Sequence, residues 1–600
     1  MKNRKVQIVV LDTGICPESQ ISKKGNVKAG FGFYCDEKEE IRYCQNAIDD
    51  IGHGTAVASI IEKNAPDVEI IPIKIVEQGV NNGASIMIAA LNYIYENIDC
   101  DIINISAGIV CCDEIESLKK VCERLTRKGI IIISAFDNQE VMSYPAAFEC
   151  VIGIDGVIGE LHLDEYICVK NSVVNYVGEI RDQKVPWLHG QKNQVSGTSF
   201  LAPLFTAKIA DLLKDKKLSL EEIKVILNKN AVKTIELPEE KISKMNFEIK
   251  KAIVFPFNKE MHSLARFSDL LNFEILDFYD TKFSGNMGKG IRELQQIDSD
   301  IIIKNYDNID WNAEFDTIIL GHVGIISRTL KRDFESEIIE KCRKYKKNLF
   351  SCKDISVEKD LAGVSYYIPK VEEPLSNLRH KCFVIGCPIL GIVGTSSRQG
   401  KFTLQLKMRR EFLKRGYHIG QLGTEPTSLL YGMDEVYPMG YETSVYAKGS
   451  NAVYEINQML GRIEKKHPDL IIFGSQAHTV PYMAGSMKEY PIMQHELILG
   501  TQADAYILCV SMEDDFEYIK RTKMYLESIY ESEVIAIVVS RITMEDRWST
   551  ISAKYHLENH EISQEFAKKL ADIFNIPVYI LDEDETALKV VDACVKYFSE

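Results

Sequence analysis

The chain has 600 residues, of which 46% are hydrophobic and 26% charged, and its formal net charge is −16. Such a length spans several domains and such a balance is globular, which excludes a single small binding module, a disordered chain and a fibrous one. The acidic surplus argues against a broad nucleic-acid-binding face, since a phosphate backbone selects for lysine and arginine.

The opening MKNRKVQIVVLDTG does not read as a signal peptide, because its apolar stretch is short and Asp12 interrupts it. No apolar run reaches the ~18 residues of a membrane helix, so no membrane partner is expected. The 15 cysteines are irregularly spaced, with Cys111 beside Cys112, and they form no paired Cys-x-x-Cys or Cys/His zinc spacing. Free thiols in a reducing cytoplasm, and no metal site, are the expectation.

Residues 1–235 alternate strand-like and helix-like segments. VQIVVLD (6–12), VEIIPIKIV (68–76), DIINIS (101–106) and IIIISAF (130–136) read as short buried strands. HGTAVASIIEKN (53–64), SIMIAALNYIYENI (85–98), IESLKKVCERLTRKG (115–129) and SFLAPLFTAKIADLLK (199–214) read as helices. The alternation predicts an α/β domain with a largely parallel sheet. Residues 215–250 are rich in Lys and Glu, with a helix-like stretch at 219–229, and ELPEEKISKMNFEIKK (236–251) reads as a domain connector. A second α/β pattern starts at AIVFPF (252–257) and continues through FEILDF, TIILGHV (317–323), a charged helix at 329–346 and NLFSC. The polar stretch VEEPLSNLRHK (371–381) is expected to join it to a third α/β pattern, with strands ILGIVG, HIGQLG, DLIIFG, DAYILCVS and EVIAIVVS. The expected domains are 1–235, 250–380 and 383–600.

Four local patterns in the first domain share one chemical meaning. Asp12 ends a strand in LDTGI, His53 begins a helix in GHGTAVASII, Asn138 follows a strand in ISAFDN and Ser199 begins a helix in VSGTSFLAP. Strand ends of a parallel sheet bring distant residues together. An acid, an imidazole and a hydroxyl meeting there suit nucleophilic catalysis: the imidazole takes the serine proton and the carboxylate fixes its tautomer. Each piece alone has an ordinary structural role, as a turn, a helix start or an N-cap. It is their joint order, each in its own flanking sequence, that favours chemistry.

On VVLDTGI, GHGTAVASII, INISAG, the Asn138 loop followed by YPAA, and SGTSFLAP, residues 1–235 resemble the subtilisin family of serine peptidases. The resemblance implies Ser199 as nucleophile, His53 as general base, Asp12 as its orienting partner, Asn138 in the oxyanion hole, and no cofactor for the peptidase. It also implies a substrate-binding segment near Ser106–Val110. No N-terminal pro-segment is visible, so folding without one is expected. Phe136-Asp137-Asn138 departs from the family's Ala-Gly-Asn, placing a ring and a carboxylate near the oxyanion position.

The third domain opens with a strand, then GTSSRQGKFT, then an amphipathic helix. Gly394, Thr395, Gly400, Lys401 and Thr403 suit a phosphate: backbone N–H groups and a helix N-terminus face it and the lysine adds charge. ATP or another nucleotide is the expected ligand. Five residues, not four, separate the two glycines, and Phe402 stands where a magnesium-binding Ser or Thr would be, so magnesium is left open. Thr403, one residue later, is turned about 100° away on a helix. The spacing is similar to dethiobiotin synthetase-like P-loop proteins, and the wider region to a little-characterised P-loop family with a Rossmann-like domain ahead of it. Residues 250–600 also resemble clostridial peptide-maturation proteins.

Weaker candidates are Glu425, Asp434 and Glu442 for a metal or substrate, His478 for the nucleotide site, and Gly285, Gly288 and Gly290 as a flexible loop whose spacing fails the dinucleotide fingerprint. The leading expectation is a cytoplasmic serine endopeptidase that processes the leader of a ribosomally made precursor peptide, with the C-terminal half binding that precursor or regulating cleavage. Two alternatives stay open: an ATP-dependent ligase or transferase in which the P-loop half is the principal enzyme, and a non-catalytic C-terminal scaffold.

Overall fold

The computed structural model describes residues 5–599 apart from 20–24, 37, 39, 77–82, 111–113, 163, 238–244, 293–298, 356–359, 374–380, 441, 484, 486–489, 545–554 and 582–584. The Cys111–Cys112 pair, part of the connector after 235 and most of 371–381 therefore lie outside the described residues. The chain divides into two compact units, Met1–Glu240 with Leu375–Gly386, and Lys241–Pro374 with Cys387–Glu600.

The N-terminal unit is built on a ten-stranded sheet. In chain order its strands are β1 (Gln7–Asp12), β2 (Phe31–Cys35), β3 (Ile41–Cys44), β4 (Glu69–Lys74), β5 (Ile102–Ile105), β6 (Ile131–Ala135), β7 (Ile152–Val157), β8 (Tyr166–Lys170) and β9 (Tyr176–Glu179), then, after a separate hairpin of β10 (Gln183–Pro186) and β11 (Lys192–Val195), β12 (Lys233–Glu236). The spatial order is β12-β8-β9-β7-β6-β5-β1-β4-β2-β3. Pairings from β2 through β4, β1, β5, β6 and β7 to β9 are all parallel, and antiparallel pairs (β2–β3 and β8–β9) flank that centre.

The apolar run of β1 is explained by cover on both faces. Ile8 and Val10 pack into one cluster with Val57, Ile60, Phe205 and Ile209, from helices His53–Asn64 and Ala202–Leu213. Val9 and Leu11 pack into another with Ile86, Leu91, Leu118 and Val121, from helices Gly83–Asn97 and Ile115–Arg127. Alternate side chains of one strand thus anchor opposite layers, which fixes its register. The segment read as one helix from Ser199 is a 3₁₀ turn (Thr198–Phe200) followed by the α-helix.

The second unit holds two parallel sheets. The first contains β13 (Lys251–Phe255), β14 (Glu274–Asp280), β15 (Lys304–Asn305), β16 (Thr317–Leu320), β17 (Asn348–Ser351) and β18 (Tyr366–Tyr367), in the order β15-β14-β13-β16-β17-β18. Counted within this sheet that is 3-2-1-4-5-6, the order of doubly wound folds. The expected charged helix at 329–346 is two helices, Gly324–Leu330 and Phe334–Tyr345. Lys331, left-handed at φ 48°, ends the first, and the Asp333 side chain caps the second by accepting from Ser336 N–H. The expected loop around Gly285–Gly290 is tied down at Gly290, which pairs with Ile302, and at Gly288, whose N–H donates to Ile303.

The second sheet contains β19 (Ile389–Gly394), β20 (Ile419–Gly423), β21 (Glu435–Val436), β22 (Leu470–Gly474), β23 (Ala505–Ser511), β24 (Glu533–Ser540) and, after a small hairpin of β25 (Ile542–Met544) and β26 (Tyr555–Leu557), β27 (Val578–Ile580). Its order is β21-β20-β22-β19-β23-β24-β27, all parallel. No helix among the described residues is long and apolar enough to cross a membrane. No disulfide joins the thirteen described cysteines.

Candidate active site and phosphate loop

β1 delivers Asp12 to the C-terminal edge of the N-terminal sheet, where it is 1% exposed. Its Oδ1 accepts from the Thr13 N–H at 2.8 Å and lies 2.8 Å from His53 Nδ1. That contact fixes the tautomer: Nδ1 carries the proton toward the carboxylate, leaving Nε2 as the basic nitrogen. Burial alone would lower the basicity of His53, but the Asp12 charge and hydrogen bond, with Asp49 behind them, outweigh it and raise the imidazole above its ordinary basicity.

Why His53 sits there follows from Asp49, a residue that the sequence patterns did not single out. Asp49 is 4% exposed. Its Oδ1 accepts from Ile51 N–H, Gly52 N–H and the Thr13 hydroxyl at 3.0, 2.7 and 2.8 Å. Its Oδ2 accepts from Thr55 N–H and the Thr55 hydroxyl at 2.9 and 2.6 Å. Thr13 Oγ1 in turn accepts from Gly54 N–H at 2.8 Å. One carboxylate thus satisfies the start of helix His53–Asn64, where backbone donors have no intrahelical partner, and ties that helix to the end of β1. An acid shortly ahead of a helix start was the available signal. Gly54 is required by close approach, because a Cβ there would stand 2.3 Å from the Gly14 carbonyl oxygen.

Ser199 lies in the turn Thr198–Phe200, half-buried, next to Phe200, whose ring centroid is 5.0 Å from that of His53. Its hydroxyl has no hydrogen-bond partner among the described residues. The acid–imidazole pair is therefore closed, while the serine–imidazole bond is not formed. Gly197 enters the turn at φ 127°, a conformation that favours glycine.

Asn138 is exposed, and its Oδ1 accepts from the Thr198 N–H at 2.9 Å and the Thr198 hydroxyl at 3.1 Å. With the carbonyl end engaged beside the nucleophile turn, the amide NH₂ is the end left to donate. The two departures before it are absorbed locally. Phe136 is 1% exposed and packs in a core cluster with Met142, Ile167 and Val177. Asp137 Oδ1 accepts from Gln139 N–H at 2.7 Å, closing the turn. Ring and carboxylate are both engaged in holding this loop.

In the second unit, Gly394 ends β19 and Lys401 begins helix Lys401–Lys414. Gly400 has φ 75°, and a Cβ there would stand 2.1 Å from Leu581 Cδ2. Lys401 is 4% exposed and donates to the Ser396 carbonyl at 2.6 Å, across the loop. Gln399 folds back so that its Oε1 accepts from Ser396 N–H at 3.0 Å, while its amide donates to Thr395 Oγ1. Thr395 Oγ1 also bonds Asp514, whose pKa burial pushes up. The loop is thereby closed on its own groups. Phe402 packs edge-on against Tyr431 at 5.8 Å, as an apolar residue. Thr403 is half-buried on the helix, with no side-chain hydrogen bond among the described residues.

The weaker candidates disperse. Asp434 pairs with Lys466 at 2.7 Å and accepts from Gln421 N–H. Glu442 faces His322 at 3.2 Å and Lys353 at 3.7 Å. Glu425 precedes the turn Pro426–Tyr431. His478 is half-buried near His495, whose own pKa is lowered first by burial and then by His478. No cluster of three or more metal-ligating side chains occurs among the described residues. Sequence patterns also passed over Asp280, the last residue of β14, which is 1% exposed and raised by burial to about 6.

Residues 3–247 match the subtilase family, and residues 381–587 match a P-loop domain of unknown function, DUF1611. A search of curated proteins finds no match. Among solved structures, a cold-adapted subtilisin-like serine proteinase is 19% identical, covering 38% of this chain and 84% of its own, with a TM-score of 0.32. A lanthipeptide protease is 17% identical, covering 38% and 80%, also with a TM-score of 0.32. A DUF1611 family protein from Anabaena variabilis is 14% identical, covering 58% and 100%, with a TM-score of 0.42. The chain thus joins a subtilisin-like serine endopeptidase domain to a DUF1611-type P-loop domain.

Proposed function

We propose that Asp12, His53 and Ser199 form the catalytic triad of this peptidase domain, with Asn138 as an oxyanion donor. The observation that carries the reading is the 2.8 Å bond from His53 Nδ1 to the buried Asp12, beside the turn that holds Ser199. Ser199 Oγ attacks the peptide carbonyl carbon while its proton passes to His53 Nε2. The tetrahedral oxyanion takes a hydrogen bond from the Asn138 amide, a contribution of about 3–4 kcal/mol where such donors have been removed. Collapse breaks the C–N bond, the leaving amine takes the proton from His53, and an acyl-enzyme remains. Water, deprotonated by His53, then releases the acid and restores Ser199. The raised His53 pKa suits this cycle, since the same group must hold the proton between the two transfers.

The substrate we propose is the leader segment of a ribosomally made precursor peptide, on the resemblance of residues 250–600 to peptide-maturation proteins. We place the chain in the cytoplasm, where thiols such as those of the thirteen described cysteines stay outside disulfides. At the second site, the loop from Gly394 to Lys401 is proposed to take the phosphates of a nucleotide. Entry would displace Gln399 from the Ser396 N–H and Lys401 from the Ser396 carbonyl. Those two groups are a backbone donor and a cation, which is what a phosphate needs.

The experiment is labelling of the full chain with a fluorophosphonate, read by intact mass, beside Ser199→Ala. One adduct on the wild type and none on the variant is expected. A folded wild type that takes no adduct, or a variant that takes the same one, overturns the assignment.

A further inference from the structure

The loop that carries Asn138 is closed by a piece of chain from far outside the peptidase match. Within the span Leu375–Gly386, which belongs to the N-terminal unit, three residues engage residues 136–142 and β7. Cys382 N–H donates to the Glu140 carbonyl at 2.9 Å, and Met142 N–H donates to the Cys382 carbonyl at 2.7 Å. These two bonds make a one-residue parallel bridge between Val141 and Cys382. Lys381, 4% exposed, ion-pairs with Asp155 on β7 at 2.7 Å, and its ammonium lies 5.5 Å from the centroid of the Phe136 ring. Phe383 packs on the core cluster that contains Phe136 and Met142.

Physical chemistry says what these contacts do. Asn138 is exposed and, among the described residues, held at its carbonyl end by Thr198, so the aim of its NH₂ depends on the backbone of residues 137–142. That backbone needs holding, because Glu140 sits at φ 59°, uncommon for a residue with a side chain. Among the described residues the flanking carbonyl and N–H of the bridge pair with Cys382, and the buried Lys381 ammonium fixes that segment to β7. A donor misplaced by about 1 Å at a reacting centre costs rate far more than it costs fold.

We infer that Lys381–Phe383 is a positioning element for the oxyanion hole, acting on Asn138 through the 137–142 loop. The inference rests on the reading of Asn138 as an oxyanion donor. The segment falls within the DUF1611 match yet groups with the peptidase unit, so the catalytic domain as matched, 3–247, lacks a part of its own site.

The test uses the full chain and a fluorophosphonate, whose phosphoryl oxygen takes the place of the oxyanion as Ser199 Oγ displaces fluoride from phosphorus. Maximal labelling rate (kinact) and probe affinity (KI) are measured for Lys381→Met, Lys381→Arg, Asn138→Ala and the double variant. Asn138→Ala should slow kinact by about 10²–10³-fold. Lys381→Met should slow it about tenfold with KI within twofold, Lys381→Arg should retain most of the rate, and Lys381→Met should add little to Asn138→Ala. Additive slowing in the double variant, or wild-type kinact in Lys381→Met, overturns the inference. A normal rate in Asn138→Ala overturns the oxyanion reading itself. Should Lys381→Met fail to fold, Cys382→Pro beside Cys382→Ala serves instead, because only the proline removes the N–H bonded to Glu140. Equal rates in that pair refute the positioning role.

Discussion

Asp49→Ala should loosen the peptidase domain through the helix that presents His53. The variant takes away the acceptor of five hydrogen bonds. The Thr13 and Thr55 hydroxyls can rotate to other acceptors, and Ile51 is half-buried, so they contribute little to the minimum cost. Gly52 and Thr55 are buried and their N–H groups cannot turn. Leaving two buried backbone donors unsatisfied, at ~1–3 kcal/mol each, gives about 2–6 kcal/mol. For a domain of roughly 150–250 residues each kcal/mol is worth about 2–4 °C, so a fall of at least ~4 °C is expected. The assay holds the protein at graded temperatures and then counts labelled Ser199 by intact mass. Asp50→Ala is the control, since Asp50 is 56% exposed and pairs with Lys74 at 2.9 Å, whose ammonium keeps the Ile48 carbonyl as an acceptor at 3.4 Å. Loss of one ion pair with an exposed carboxylate leaves no backbone donor without its acceptor and costs ~0.5–1 kcal/mol, a shift smaller than that of Asp49→Ala. Loss of labelling at the same temperature in both variants would refute the argument.

The remaining predictions use the same readout or calorimetry. The labelling rate should fall toward acid, because the base must be neutral, with a midpoint above that of an ordinary histidine, as the raised His53 pKa requires. A midpoint below that value would contradict the Asp12 contact. Asp12→Asn should cut the rate by about 10⁴-fold and move the acid limb to lower pH, since burial of the imidazole then acts without the carboxylate that opposes it. An unmoved limb would count against it. Gly54→Ala should destabilise the domain by at least ~1–3 kcal/mol, because its Cβ would meet the Gly14 carbonyl at 2.3 Å, and a normal melting profile would refute the close approach. Lys401→Ala should weaken ATP binding at least about tenfold in titration calorimetry, whereas equal affinity would remove the loop from the nucleotide reading.

Much of this molecule is set by local pattern. The valine- and isoleucine-rich runs at 6–12, 101–106 and 130–136 each form a strand, because a strand covered on both faces has no polar positions to spare. HGTAVASIIEKN forms a helix with the expected bounds, and GTSSRQGKFT lies between a strand and a helix, as its glycines and lysine indicate. Asp12 and His53 were legible because each sits at the end of an element in its own distinctive flank. Other features depend on contacts between residues far apart in the chain. Asp49 is one acid among 87 Asp and Glu residues, and only the packing of a helix start against β1 gives it five donors. The closure of the Gly394–Lys401 loop by Gln399 is decided by rotamers that the pattern of glycines leaves free. Lys381 stands in a polar stretch that reads as a connector. A salt bridge to Asp155 and a backbone bridge to the Asn138 loop form only once the fold carries residue 381 back to residues 136–155. Periodicity and short motifs record which elements form and where the chemistry-bearing residues lie along them. Which distant side chain satisfies a buried donor or charge is settled by tertiary packing, because that energy exists only when both partners have left water together.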